Sequence, residues 1–173
     1  MNDLVLLAAL LPGPQHGYAL KKQVGLISGK PQMHNNLVYP LLRRFVESGW
    51  VSKRQAQGQR GQTRELYSLT AKGRQELLRR LGEFTEKQAG SPAEFHLRVG
   101  LFPVLDANTR KRVLSSRDAW LDVREQRLAR IEASLETNSW GAEVVHFIRD
   151  QIGAERTWIV SLDRKATREA KSR

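Results

Sequence analysis

Residues 35–69 read NNLVYPLLRRFVESGWVSKRQAQGQRGQTRELYSL, and the period of their apolar side chains changes within this stretch. Up to Gly49 the apolar residues recur every three or four positions, which predicts an amphipathic helix. From Trp50 the pattern alternates, is interrupted by the polar, cationic segment 55–63, and alternates again over 64–69. This part of the chain therefore predicts a helix followed by a basic two-stranded hairpin.

Further helices are predicted on both sides of this stretch. One covers residues 4–11 and ends at Pro12-Gly13, and a second covers about 15–27. After the hairpin, Thr70 is expected to cap a helix that extends to about residue 82, because its hydroxyl can accept a hydrogen bond from an unpaired backbone amide. The order helix, helix, helix, hairpin, helix is typical of a winged helix-turn-helix, whose third helix enters the major groove of DNA.

The rest of the chain is predicted to be helical, over 92–102, from Asp106 to about 136, and over about 141–166. Within the long middle helix, four leucines recur every seven residues. Such spacing aligns side chains along one face, and we predict that this leucine row is the seam of a homodimer. The alternative is that these helices pack only within the chain. The leucine row consists of Leu114, Leu121, Leu128 and Leu135.

The expected fold is therefore mainly α, with two domains. Residues 1–88 form an N-terminal winged helix-turn-helix of three helices plus a two-stranded wing. Residues 89–173 form an all-helical C-terminal domain for dimerisation, which is also the candidate for sensing an effector. The glycine- and proline-containing segment 89–92 marks the boundary.

Net positive charge is concentrated in the N-terminal half of the chain. The formal net charge is +11, and residues 1–82 hold 13 of the 29 Lys and Arg but only 4 of the 18 acidic residues. This segment thus carries +9, against +2 for the remainder. An excess of this size predicts a polyanionic partner whose phosphates the cations neutralise. The alternative is that the charge serves solubility alone.

Several kinds of site are not predicted. The chain has no cysteine, and its four histidines show no metal-ligand spacing. No nucleophile or phosphate-binding loop is recognisable, so we expect a protein that is not an enzyme and has no cofactor or metal. The apolar run 4–11 is shorter than the roughly 20 residues that span a bilayer, and the flanking residues are not those of a signal peptide. We therefore expect a cytoplasmic protein that does not contact a membrane.

Four stretches of the N-terminal half resemble the PadR family of bacterial transcriptional regulators: 14–20, 37–45, 49–51 and 67–73. The combination of YPLLRR at 39–44 and Tyr-x-Leu-Thr-x-x-Gly at 67–73 is the specific part. The helical second half looks like the variable domain of the longer members. The resemblance implies a homodimeric repressor that is often released by a small effector. A response to phenolic acids does not follow automatically, because the variable half contributes to the effector site.

Helix three is expected to present its first turn to base edges, where an amide can bond adenine at two points. Helix two crosses the DNA backbone in this motif, and arginine at the wing tip suits the minor groove. Gly17 is expected to allow close packing and Tyr18 to fill the core. The alternatives are helix capping for one asparagine, a half-buried ring for Tyr39, and simple solvent exposure for each charge. The predicted DNA contacts are Lys21, Lys22, His34, Asn35, Asn36, Tyr39, Arg43, Arg44, Gln59, Arg60 and Arg64.

An effector pocket is expected between the two halves, with aromatic walls and a cationic group for a carboxylate. The alternative is that its residues belong to the core or the dimer interface. The expected lining is Phe95, His96, Trp120, Arg124, His146 and Phe147. The predicted function is a homodimeric repressor of a pseudo-palindromic site on double-stranded DNA, released by a small aromatic or phenolic effector. The alternative function is a winged-helix module that binds RNA or a protein and senses no effector.

Overall fold

A computed structural model describes residues 1–28, 35–57, 63–136 and 139–171, without the side chains of residues 24–28, 35, 36, 63, 170 and 171. The chain divides into two compact units, Met1–Glu83 and Phe84–Arg173. The described residues are mainly helical with one small sheet, which confirms the predicted fold class.

The first unit is a winged helix-turn-helix with three antiparallel strands, β1 (Gln15–His16), β2 (Val51–Gln57) and β3 (Thr63–Leu69). Their order in the sheet is β1-β3-β2. The short strand β1, which the sequence did not predict, pairs with β3 so that Gln15 lies opposite Tyr67. Two residues are too few to show an alternating pattern, so only the pairing reveals this strand. The elements are α1 (Asn2–Ala9), β1 (Gln15–His16), α2 (Gly17–Ser28), α3 (Asn35–Glu47), β2 (Val51–Gln57), β3 (Thr63–Leu69) and α4 (Ala71–Gly82).

The core of the first unit is built around α1, whose residues Leu4 to Ala9 are all buried. A helix that is apolar all round is expected at the centre of a core rather than on its surface. Leu20, Leu77 and Leu81 are also buried in the unit. From α3, only one face contributes to this core, which leaves its other face available for a partner.

The junction between α3, the wing and α4 depends on a close approach of backbone. Gly49 ends α3 with a φ of 71°, a left-handed conformation that favours glycine. The Thr70 hydroxyl donates a hydrogen bond to the Gly49 carbonyl at 2.7 Å and accepts one from the Gly73 amide at 2.9 Å. A Cβ atom at Gly73 would lie 1.9 Å from the Trp50 carbonyl oxygen. The Thr-x-x-Gly sequence at 70–73 thus caps α4 and lets it pack against the base of the wing.

The second unit is dominated by a pair of long helices, α7 (Ala107–Glu132) and α8 (Trp140–Lys171), that pack along each other. Several of its helices start at a side-chain cap: for example, Ser91 accepts from the Glu94 amide, and Asp106 accepts from the Thr109 amide at 2.9 Å. The elements are α5 (Glu86–Ala89), α6 (Pro92–Gly100), a 3-10 turn (Phe102–Val104), α7 (Ala107–Glu132) and α8 (Trp140–Lys171).

The predicted leucine seam of a dimer is buried inside the second unit instead. Leu114, Leu121 and Leu128 are almost fully covered in the single chain, and Leu135 lies half-buried beyond the end of α7. The helix α8 supplies its own buried row at the same seven-residue spacing, namely Val145, Ile152 and Ile159. The leucine row therefore belongs to the core between α7 and α8, and little of it is exposed to a second chain.

Candidate nucleic-acid interface

The helix α3 separates its side chains by face. Val38, Leu42 and Phe45 are fully buried, whereas Tyr39 and Arg43 are exposed. Tyr39 and Arg43 are four residues apart, so they lie one turn from each other on the same outer face. This is the arrangement that a recognition helix needs, because the buried row anchors the helix while the outer row meets a partner.

Arg44 differs from its neighbour Arg43 in having an acidic partner within the unit. Its guanidinium donates to the Asp3 carboxylate at 2.5 Å, and Arg80 donates to the same oxygen at 3.0 Å. The Arg44 guanidinium also lies 5.5 Å from the centre of the Phe45 ring. Asp3 therefore links α1, α3 and α4, and part of the Arg44 charge is already neutralised. Arg43, by contrast, is exposed and has no ion-pair partner among the residues that the structure describes.

On the wing, one acidic residue is neutralised by its neighbours. Glu65 forms an ion pair with Lys53, and it accepts a hydrogen bond from the Tyr67 hydroxyl at 2.6 Å. The hydrogen bond from Lys53 is the main reason that the pKa of Glu65 is lowered. Burial, followed by the hydrogen bond to Glu65, raises the pKa of Tyr67. With Glu65 neutralised, the exposed Arg64 beside it gives this edge of the wing a net positive charge.

An open cavity of about 490 Å³ brings α3 and the wing together. Tyr39 and Arg64, both predicted as DNA contacts, line this cavity together with residues that were not predicted as contacts, such as His16. The His16 ring nitrogen Nδ1 lies 3.2 Å from the Glu65 carbonyl oxygen. Gly17 leaves room for the Tyr39 ring, since a Cβ atom at this position would lie 3.1 Å from the ring. The lining residues are His16, Gly17, Tyr18, Tyr39, Arg64, Glu65 and Tyr67.

The prediction that Tyr18 fills the core is wrong, because its side chain is 78% exposed at the mouth of this cavity. Tyrosine suits either location, since an apolar ring carries a polar hydroxyl. The short strand β1 turns the start of α2 toward β3, and in this position the Tyr18 side chain is exposed and not part of the core. Its pairing with β3 was the signal that would have revealed His16 and Tyr18 as surface residues.

The remaining predicted contacts lie in different parts of the unit. On α2, Lys22 is exposed and Lys21 is partly exposed. Asn35 and Asn36 form the first turn of α3, as expected for a capping or base-reading position, but their side chains lie outside the described part of the structure. His34, Gln59 and Arg60 also lie outside the described residues.

The family described as the transcriptional regulator PadR-like family matches residues 6–79. The match lies within the first unit, whose residues are similar to this family. The comparison supports a DNA-binding transcriptional regulator, and the matched segment ends within α4. No functionally curated protein matches the chain.

Solved structures of PadR-like proteins resemble the chain over different lengths. A PadR family transcriptional regulator from Eggerthella lenta is 31% identical over 43% of this chain and 63% of its own, with a TM-score of 0.38. A PadR family transcription regulator from Clostridium difficile is 22% identical over 48% of this chain and 85% of its own, with a TM-score of 0.43. Bacillus subtilis PadR, in complex with operator DNA, is 18% identical over 95% of this chain and 98% of its own, with a TM-score of 0.46.

In the second unit, the predicted effector residues fall into separate groups. Phe95 is buried, and its ring lies 5.8 Å from that of Trp158 and 6.1 Å from that of His96. The rings of His96 and Trp158 are also in edge contact, at 5.7 Å. These three residues form an aromatic cluster, in which Trp158 was not predicted.

Trp120 lies next to this aromatic cluster, because Arg117 contacts both the Phe95 ring and the Trp120 ring. Arg124 in turn contacts Trp120. The Arg117 guanidinium is 5.6 Å from the Phe95 ring and 5.0 Å from the Trp120 ring, and the Arg124 guanidinium is 5.3 Å from the Trp120 ring. Arg117 is buried and makes two hydrogen bonds to Glu155, both at 2.8 Å. The cluster is therefore held by an internal ion pair.

His146 and Phe147 lie toward the other end of the α7–α8 pair. His146 contacts Glu132 at 2.8 Å, and Glu132 is 15 residues along the helical region from Arg117, roughly 22 Å in a helix. Phe147 is 63% exposed. The structure thus does not bring these two residues to the aromatic cluster.

Within residues 1–28, 35–57, 63–136 and 139–171, no group of three or more His, Asp or Glu is arranged to hold a metal ion. In the same residues, no helix has the length and apolar character needed to cross a membrane.

Proposed function

We propose that this PadR-like regulator is a homodimeric repressor that binds a pseudo-palindromic DNA site through its first unit and is released by a small-molecule effector. A regulator of this kind acts in the cytoplasm and has no catalytic role. The observation that carries the DNA-binding part is the placement of Tyr39 and Arg64 at one open cavity, with the exposed Arg43 one turn along α3 from Tyr39. These residues lie in the segment with most of the net positive charge.

The proposed DNA contacts have distinct roles. The outer face of α3 enters the major groove, where Tyr39 and Arg43 meet base edges or phosphates. Arg64 on β3 lies against the sugar-phosphate backbone beside α3, and the wing extends from there toward the minor groove. Neutralisation of Glu65 by Lys53 and Tyr67 supports this role, because an unpaired carboxylate beside Arg64 would repel a phosphate.

Effector release is proposed for the second unit, where the aromatic cluster of Phe95, His96 and Trp158 offers ring faces and a partly exposed edge. A small aromatic or phenolic ligand would stack on His96 and Trp158, with Arg124 as the nearby cation for an acidic group. Arg117 is already paired with Glu155, so it stabilises the cluster and does not bind the acidic group of the ligand.

DNA binding is tested by selecting bound duplexes from a random pool and then measuring fluorescence anisotropy on the selected sequence over a salt series. We expect affinity to fall steeply with salt, and Arg64→Ala to weaken binding about tenfold and to reduce the salt slope by about one. Arg79→Ala is the control, because Arg79 is an exposed arginine of the same unit that pairs with Glu76 at 2.8 Å. Binding that is insensitive to sequence, or that RNA competes for equally, would reject the proposal.

Effector release is tested separately, by screening aromatic carboxylates and phenols for dissociation of the selected duplex. A ligand that releases wild-type protein but not His96→Ala, with DNA affinity unchanged in that variant, supports the proposed cluster. Release that is equal in both proteins excludes it.

A further inference from the structure

The cavity between α3 and the wing is lined by every tyrosine of the chain. The sequence has three tyrosines, and Tyr18 of α2, Tyr39 of α3 and Tyr67 of β3 all line this one cavity of about 490 Å³. A volume of about 300–1,000 Å³ is typical of sites that bind small molecules. Contact of α3 with DNA needs only the outer face of that helix, so it does not account for aromatic residues from three separate elements.

The three tyrosines differ in how far they are covered. Tyr67 is buried, and its hydroxyl is fixed by the hydrogen bond that it donates to the Glu65 carboxylate at 2.6 Å. Tyr39 is half-exposed, and its ring lies against Gly17, where the absence of a side chain leaves it room. Tyr18 is exposed at the mouth. Because aromatic rings stack on one another in offset or edge-to-face geometry, the cavity offers walls for a flat aromatic ligand.

The charges around the cavity select an acidic ligand. Arg64 is exposed and has no ion-pair partner among the residues that the structure describes. The carboxylate beside it, Glu65, is compensated by its ion pair with Lys53 and by the hydrogen bond from Tyr67. An uncompensated carboxylate would repel an anion, whereas a guanidinium binds a carboxylate through two parallel hydrogen bonds. A small aromatic carboxylate is therefore the class of ligand that matches both the walls and the charge.

We propose that this cavity binds a small aromatic carboxylate, whose ring lies among the three tyrosines and whose carboxylate pairs with Arg64. Such a ligand excludes DNA directly, because Arg64 and Tyr39 cannot contact the ligand and the DNA at the same time. The exclusion rests on the DNA contacts of the proposed function, whereas binding of the ligand does not require DNA. The site belongs to the first unit and is independent of the aromatic cluster in the second.

Direct exclusion differs from release through the second unit in how it depends on ligand concentration. When two ligands share one site, the apparent dissociation constant for DNA rises in proportion to the free competitor, by mass action and without a limit. A ligand that acts from a distant site raises this constant only to a plateau, which the coupling free energy between the two sites sets. The shape of the competition curve therefore identifies the site.

Ligand binding is tested with benzoate as the probe, by isothermal titration calorimetry on the full-length protein without DNA. Benzyl alcohol lacks the carboxylate, and cyclohexanecarboxylate lacks the aromatic ring. We expect each of them to bind about fivefold more weakly than benzoate, because each loses one of the two interactions. Absence of benzoate binding, or equal binding of all three compounds, overturns the proposal.

Two variants locate the site by the same calorimetry. Tyr18→Ala should weaken benzoate binding about fivefold through the loss of one aromatic wall, with unchanged helical content by circular dichroism because the side chain is exposed. Arg64→Gln should weaken it about tenfold, since the carboxylate loses its cation. Arg54→Gln is the matched control: Arg54 is an exposed arginine of the same wing that is not among the residues lining the cavity. Unchanged binding in Arg64→Gln, or an equal loss in Arg54→Gln, places benzoate elsewhere and rejects the site.

Exclusion of DNA is tested by anisotropy on the selected duplex over a benzoate series, with sodium chloride added to hold the ionic strength constant, because salt alone weakens DNA binding. The apparent dissociation constant should rise in proportion to benzoate, without a plateau, in the wild type and in His96→Ala alike. A plateau, or a rise that His96→Ala abolishes, shows that benzoate acts through the second unit and overturns direct exclusion.

Failure of this inference and failure of the proposed function give different results. A protein that binds its selected duplex but shows no benzoate binding overturns the ligand site, while DNA recognition stands. A protein that binds benzoate with the expected dependence on Tyr18 and Arg64, but selects no duplex, overturns DNA recognition and leaves the ligand site in place.

Discussion

The two units use arginine in opposite ways. In the first unit, Arg43 and Arg64 are exposed, and neither has an ion-pair partner among the residues that the structure describes. In the second unit, Arg98, Arg110 and Arg117 are buried, and each donates to a carboxylate and to a backbone carbonyl. Arginine content alone therefore does not indicate nucleic-acid binding, whereas the local excess of positive over negative charge does.

The units also differ in what holds their elements together. The first unit is closed by backbone contacts that require a specific residue type, as at Gly49, Thr70 and Gly73. The second unit is closed by an apolar seam between α7 and α8 and by ion pairs across it, such as Arg117 with Glu155 and Arg156 with Asp118. The first unit should therefore be sensitive to single backbone changes, and the second to the loss of one member of a buried pair.

The largest effect is expected from Gly73→Ala, because its Cβ atom would overlap the Trp50 carbonyl oxygen and neither backbone can move freely. We expect the first unit to lose more than about 4 kcal/mol of unfolding free energy. Hydrogen exchange of the α4 amides measures this loss separately from the second unit. Gly153→Ala is the control, since no atom lies within 4 Å of its added methyl group, and it should stabilise α8 by about 0.5–1 kcal/mol. If hydrogen exchange of the α4 amides is unchanged in Gly73→Ala, the first unit does not depend on this backbone contact.

The next effect is expected from Arg117→Ala, which leaves the Glu155 carboxylate without its bidentate partner. Breaking a buried pair in this way should cost the second unit about 3 kcal/mol or more in unfolding free energy. Hydrogen exchange of α7 and α8 is the measurement. Arg149→Ala removes a half-exposed arginine paired with Glu132 on the same helix pair and should cost less than about 1 kcal/mol. Similar losses in both variants would show that burial of Arg117 has no special role.

A smaller effect separates the two adjacent arginines of α3. Arg43→Ala should weaken binding to the selected duplex by about 1–2 kcal/mol with unchanged stability. Arg44→Ala should instead lower the stability of the first unit by about 1 kcal/mol, because Asp3 loses one of its two partners. Anisotropy titrations and urea unfolding of both variants give the two quantities. If Arg44→Ala weakens DNA binding more than Arg43→Ala, the assignment of roles is reversed.

The smallest effect concerns pH. Hydrogen bonding from Arg79, followed by the hydrogen bond from Arg80, lowers the pKa of Glu76 from 4.5 to about 2. A lowered folded-state pKa stabilises the protein above pH 4.5, and this contribution is lost as the pH falls toward 2. We expect about 1 kcal/mol at pH 7, since the arginines are partly exposed and the interaction is screened. Urea unfolding at pH 7 and pH 3 should therefore show a weaker pH dependence for Glu76→Gln than for the wild type. If both proteins show the same pH dependence of stability, the ion pairs of Glu76 do not contribute to it.

Much of the first unit could be predicted from sequence because its signals are local. The change of period at Trp50, the helix end at Gly49 and the cap at Thr70 each depend on neighbouring residues only, and the structure has all three. The strand β1 could not be predicted, because it exists only through its pairing with β3. The exposed position of Tyr18 follows from that pairing and was missed with it.

The seven-residue leucine row shows a different limit. Its spacing correctly indicates one apolar face on α7, but it is the same whether that face packs on α8 of the same chain or on another copy. Leu121 is buried beside the apolar row of α8, so the leucine row packs within the same chain.

The sequence by itself determined the order of helices and strands, the winged helix-turn-helix, and the positive charge that it carries, since periodicity, capping and composition are properties of neighbouring residues. Only the tertiary structure decided which apolar row is covered, which arginine is paired, and which tyrosines meet at the cavity beside α3. These depend on contacts between residues far apart in the chain, and a side chain's surroundings are known only when its neighbouring elements are in place.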